Sequence, residues 1–124
     1  MAGELILIVE DNPKNLKLVR DILQVKGYQT VEAETGEEGV KLARERHPAP
    51  ILMDIQLPAI SGIEALGLLR ADATTRTIPV IAVTASVMAQ DRERVMAAGF
   101  DGFQGKPISV RELLATVRGI LEPS

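Results

Sequence analysis

The chain has no cysteine and no tryptophan, and its only aromatic side chains are Tyr28, Phe100 and Phe103. Without thiols there can be no disulfide, no thiolate metal site and no cysteine nucleophile. So few rings provide no platform for stacking nucleic-acid bases. A formal charge of −3 and a pI near 5.2 leave no electrostatic footprint for nucleic acid either. Long apolar runs are also missing: the longest uncharged stretch, Thr77 to Gln90, has 14 residues and includes Pro, Thr and Ser. Five apolar residues after Glu4 are too few for a signal-peptide core. What remains is 124 residues, 46% hydrophobic and 25% charged, which predicts one globular domain over residues 1–124 in the cytoplasm.

Short apolar runs alternate with longer helical patterns. Leu5 to Val9 stops at Glu10-Asp11, Ile51 to Met53 stops at Asp54, and Val80 to Val83 stops at Thr84. Unbroken runs of this length predict strands buried on both faces of a parallel sheet. Tyr28 to Ala33 and Gly102 to Gln104 mix polar with apolar residues and suit the sheet edges. Asn12-Pro13 opens the first helix, which runs to Gly27. Thr35 with Glu38, Ser61 with Glu64 and Ser109 with Glu112 have the spacing of capping boxes at three more. A fourth helix, from about Ala85 to Ala98, has the poorest apolar stripe. Five strand–helix units with short right-handed crossovers predict a flavodoxin-like (βα)5 fold with sheet order 2-1-3-4-5. Pro50 is tolerable only at the very start of the third strand.

Ligands of such sheets bind beyond the carboxyl ends of the strands. Strand 1 delivers Glu10 and Asp11 there, strand 3 Asp54, strand 4 Thr84 and strand 5 Lys106. Each alone reads as a cap, a turn former or a solvated charge; the set does not. Two carboxylates ~4 Å apart repel by ~4 kcal/mol at an effective dielectric of about 20. Three together call for a proton, an ammonium or a divalent cation. An oxygen-only donor set selects a hard ion such as Mg²⁺ that keeps sites open for phosphoryl oxygens. Lys106 and Thr84 would hold the other oxygens, and Asp54, alone on the middle strand, is the candidate acceptor.

The motifs Val9-Glu10-Asp11-Asn12, Leu52 to Pro58, Ser61-Gly62, Pro79 to Ala85 and Lys106-Pro107 span essentially the whole chain. In that order they resemble the receiver domain of bacterial two-component response regulators. Asp54 to Gly62 with Lys106 to Ser109 is most similar to the stand-alone DivK type. The segment from Glu10 to Asn15 is also similar to receivers of hybrid histidine kinases.

The resemblance implies that Asp54 is phosphorylated by a histidine kinase or histidine phosphotransfer protein. It implies Mg²⁺ held by Asp11, Asp54 and the backbone carbonyl of Gln56, with Glu10 acting through water. Lys106 would pair with a phosphoryl oxygen, and the Lys106–Pro107 bond would be cis. Thr84 and Phe103 would be the switch pair, and Gln56 and Ser86 would influence the lifetime of the phosphate. The face made by helix 4, strand 5 and helix 5 would bind a downstream effector protein. The protein would promote its own phosphorylation and dephosphorylation rather than act as an enzyme on other substrates. A monomer is expected, with dimerisation on activation left open.

Glu10 stands where many members have Asp, and Ala49-Pro50 replaces a more usual Asp-Leu before strand 3. Gly105 makes the segment before the lysine unusually permissive, and Phe103 has no hydroxyl. Met1 and the ending Glu122-Pro123-Ser124 suit a free-standing protein, and an excised hybrid-kinase receiver would read alike. Two rival readings are a Mg²⁺-dependent aspartyl-phosphate phosphatase and a constitutive interaction module. Gln56, two residues after Asp54, lacks the proton that a phosphatase's second acid supplies.

Overall fold

The computed structural model describes residues 3–85 and 89–122, which alternate strand and helix throughout. In order they are β1 (Leu5–Val9), α1 (Pro13–Val25), β2 (Gln29–Ala33), α2 (Gly36–Arg46) and β3 (Ile51–Asp54). There follow α3 (Gly62–Ala71), β4 (Val80–Thr84), α4 (Ala89–Ala97), β5 (Gly102–Gly105) and α5 (Val110–Leu121). All pairings are parallel and the order is β2-β1-β3-β4-β5. This is the flavodoxin-like arrangement expected from the alternation.

Hydrophobicity sets the order. Every residue of β3 and β4 is buried, as are four of the five in β1. Successive side chains point to opposite faces. Leu7, Val9, Ile51, Met53, Val80 and Ala82 therefore join one core, beneath α2, α3 and α4. Ile6, Ile8, Leu52, Ile81 and Val83 join the other, beneath α1 and α5. Pro50 lies just outside β3; its carbonyl accepts from the Leu7 N–H at 3.2 Å, and no ladder bond needs its missing donor.

The helix starts follow the caps with two corrections. Asn12 Oδ1 accepts from the N–H groups of Lys14 and Asn15, and Ser61 with Glu64 forms a complete reciprocal box. Thr35 accepts from the Glu38 N–H, but Glu38 Oε1 accepts in turn from Glu34, one residue beyond the cap. The chain entering α2 thus aims the Glu34 donor, not that of Thr35, at the helix start. Ser109 accepts from Glu112 at 3.4 Å, with no return bond among the described contacts. Helix α4 is described from Ala89 rather than Ala85, and Ser86 lies outside the described residues. Gly99, at φ +111°, ends the turn that follows it, a conformation open to glycine without a Cβ clash.

At the amino ends of the strands, Arg70 ties three segments together. Its guanidinium donates to the carbonyls of Arg76 and Ile78 at 3.0 and 2.8 Å, and to that of Gly99 at 3.2 Å. It also meets Asp101 Oδ2 at 2.8 Å, and the same oxygen accepts from the Val80 N–H. The end of α3, the entry to β4 and the turn before β5 are thereby one unit.

Candidate functional site

The opposite end of the sheet gathers the charges. Glu10 follows β1, and its N–H is taken by the Ala33 carbonyl at 2.9 Å, so the strand geometry continues into this residue. Its side chain is buried, as is that of Asp54 at the end of β3, whereas Asp11 is exposed. One carboxylate oxygen from each of the three lies within 4.8 Å of the others. Lys106, just past β5, brings Nζ to 3.0 Å from Asp54 Oδ2 and 3.1 Å from Glu10 Oε1. The Lys106–Pro107 peptide bond is cis.

The second oxygens of the two buried carboxylates face backbone donors. Asp54 Oδ1 accepts from the Gln56 N–H at 3.0 Å, and Glu10 Oε2 from the Asn12 N–H at 3.1 Å. Both carboxylates are thus held between an amide and an ammonium. Burial, followed by its hydrogen bond with Asp54, pushes the Glu10 carboxyl up to about 7. Burial also works against the Lys106 charge, but its hydrogen bonds to Asp54 and Glu10 outweigh that and keep its pKa above the ordinary lysine value. One ammonium does not neutralise three acids. The site retains room, electrostatically, for a small divalent cation with oxygen ligands.

Close packing fixes the position of Asp54. Gly62, the first residue of α3, donates its N–H to the Ile55 carbonyl at 2.9 Å. A Cβ on Gly62 would lie 2.3 Å from the Asp54 carbonyl oxygen, so only glycine lets α3 approach this closely.

Of the residues read from the sequence, Glu10, Asp11, Asp54 and Lys106 are brought together. Gln56 takes part through its N–H to Asp54, and its side chain is exposed. Thr84 is buried at the end of β4, its carbonyl accepting from the Lys106 N–H at 2.9 Å. Phe103 pairs with Ala82 and Gly105 with Thr84, so Phe103 and Thr84 share one sheet face. Phe103 is half-buried, three residues before Lys106, and its ring lies under the Arg92 guanidinium at 4.9 Å. Asn12 and Arg92 had no place in the sequence reading of the site. Asn12 was visible as a cap and as part of the first motif, and Arg92 only as a position in the helix with the poorest apolar stripe.

A sequence model of the response regulator receiver domain matches residues 6–118. The chain belongs to the response regulator receiver domain family. The polar-differentiation response regulator DivK of Brucella ovis is 47% identical over 116 residues, covering 94% of each chain. The receiver domain of a sensor histidine kinase from Pseudomonas aeruginosa superposes with a TM-score of 0.89 at 34% identity. That superposition covers 97% of this chain and 98% of the other, whose structure has a magnesium ion coordinated in the active site cleft. The chemotaxis response regulator CheY4 of Vibrio cholerae shares the fold, with a TM-score of 0.90 at 24% identity over 97% of this chain and all of the other. This receiver domain is therefore a DivK-like response regulator of two-component signalling. Among its described residues no helix is long and apolar enough to cross a membrane.

Proposed function

We propose that Asp54 accepts a phosphoryl group from a histidine kinase or histidine phosphotransfer protein, and that the product controls binding of an effector protein. The observation carrying this reading is the buried Asp54 carboxylate, held by the Gln56 N–H and the Lys106 ammonium at the sheet's carboxyl end. An Asp54 oxygen attacks the phosphorus of the donor phosphohistidine. A P–O bond forms, the P–N bond breaks, and the imidazole leaves as a neutral ring after taking up a proton. Lys106 meets the charge on the transferred oxygens, and the Thr84 hydroxyl donates to one of them. Because the protein is itself the acceptor, it is a switch rather than an enzyme acting on separate substrates. On this reading the exchange takes place in the cytoplasm.

The donor set fits Mg²⁺: three carboxylates whose oxygens converge, with no nitrogen or sulfur ligand. Asp11, Asp54 and the Gln56 carbonyl would hold the ion, with Glu10 acting through water. When bound, it supplies neutralisation of charge on the phosphoryl oxygens. The magnesium in the P. aeruginosa receiver supports this assignment.

A phosphoryl group beside Thr84 and Lys106 favours whichever conformation holds its oxygens best. Helix α4 is the moving element, because Val95 is its only buried side chain among those described. Phe103, on the Thr84 face, turns inward with it, and the α4–β5–α5 surface is the one read by the effector. Intact-mass spectrometry after incubation with acetyl phosphate and Mg²⁺ tests the acceptor assignment. One added phosphate is expected on the wild type and none on Asp54→Asn. Multiple turnover of p-nitrophenyl phosphate, lost in Asp54→Asn, would replace this reading by a phosphatase.

A further inference from the structure

We infer that Arg92 is a positioning residue for the switch, a cation that holds the Phe103 ring at the surface until the phosphoryl group arrives. The inference rests on the proposed inward movement of Phe103 and adds what opposes it. Phe103 has no hydroxyl, so the face of its ring is its only polar handle. On one side the ring packs against the core beneath α2, α3 and α4. Over it lies the Arg92 guanidinium, 4.9 Å from the centroid, within reach of a cation–π attraction. No described residue forms an ion pair with Arg92, so the ring is not competing with a carboxylate for it.

Beside the pair runs an open groove of about 420 Å³, bordered also by Gln104, Glu112 and Thr116. Protein packing therefore does not lock the ring on that side, and Arg92 is what caps it. The contact also joins the two elements proposed to move, since Arg92 is on α4 and Phe103 on β5. An attraction made only while the ring sits in this half-buried position must oppose its turning deeper into the core. By linkage it must weaken binding of anything that requires the turn.

The test uses beryllofluoride, a phosphoryl mimic, in the presence of Mg²⁺. Its binding is followed through the ring signals of the chain's two phenylalanines by NMR. On the wild type, beryllofluoride is expected to shift the Phe103 signals. Arg92→Ala and Arg92→Gln should displace those signals before any ligand is added and tighten beryllofluoride binding about two- to fivefold. Arg92→Lys, which keeps a cation, should fall between them and the wild type. Unchanged affinity in Arg92→Gln overturns the inference, including the case where Arg92→Ala alone has an effect, because stem packing would then explain the contact. A wild type that binds the mimic with no movement of Phe103 overturns it by removing the movement. A wild type that does not bind at all overturns the acceptor reading, and the inference falls with it.

Discussion

Lys106 reaches across the ends of β4 and β3 to place its ammonium 3.1 Å from Glu10 Oε1, at the end of β1. With Asp54 held by the same nitrogen at 3.0 Å, one cation links three of the strand ends that form the site. Lys106 therefore occupies, in charge, part of the role that a divalent ion would take.

Replacing Lys106 by methionine should separate its two effects. Removal of a competing positive charge is expected to tighten Mg²⁺ binding by about threefold or more. Phosphorylation by acetyl phosphate should nevertheless slow by about tenfold or more, because the charge on the transferred oxygens loses its partner. With no tryptophan to report binding, calorimetry or NMR titration is the suitable measurement. Weaker Mg²⁺ binding in the variant would contradict the competition argument.

The raised Glu10 carboxyl makes metal-free stability depend on pH in an unusual direction. Its pKa rises from 4.5 in the unfolded chain to about 7 in the fold, so the folded protein binds the extra proton between these values. The associated stabilisation is complete below pH 4.5, declines as pH rises and is gone above about 7. A decline on the order of 1–3 kcal/mol is expected across this window. Denaturant unfolding at pH 5 and pH 8 without divalent ions measures it. Glu10→Gln should flatten this component, and so should saturating Mg²⁺, which favours the ionised form.

Gly62→Ala should damage both the fold and the site. The added methyl would meet backbone rather than a yielding side chain, at 2.3 Å from the Asp54 carbonyl oxygen. A loss of roughly 1–3 kcal/mol in stability is expected from such overpacking. Labelling by acetyl phosphate should fall as well, since the end of β3 must shift. A variant with wild-type stability and labelling would show that α3 can retreat at no expense.

Gly67→Ala should act in the opposite sense. Gly67 lies inside α3, is exposed, and has no atom within 4 Å of where a Cβ would sit. Alanine restricts the unfolded chain and favours helix, so a gain of about 0.5–1 kcal/mol is expected from thermal or denaturant melts. Phosphorylation should be unaffected.

The fold was legible because each central strand is an uninterrupted apolar run ending in a charged or hydroxyl-bearing residue. The runs of β1, β3 and β4 set the order of the sheet, and their abrupt ends mark its functional rim. Convergence of Glu10, Asp11, Asp54 and Lys106 follows from that topology alone. Contacts that depend on local chain direction were not legible. Spacing fixes which residues can cap a helix, but not that Glu38 would bond Glu34 in place of Thr35. The pairing of Arg92 with Phe103 joins residues 11 positions apart on different elements, and no periodicity in the sequence signals it.

The Arg70 knot gives α4 one moored end. The carbonyl of Gly99 and the carboxylate of Asp101, both just beyond the helix, are moored to α3. Any displacement of the helix should therefore be smallest near Gly99, as a door moves least at its jamb. Amide hydrogen exchange should slow progressively from Gln90 toward Ala98, and Arg70→Met should erase that gradient by freeing the hinge.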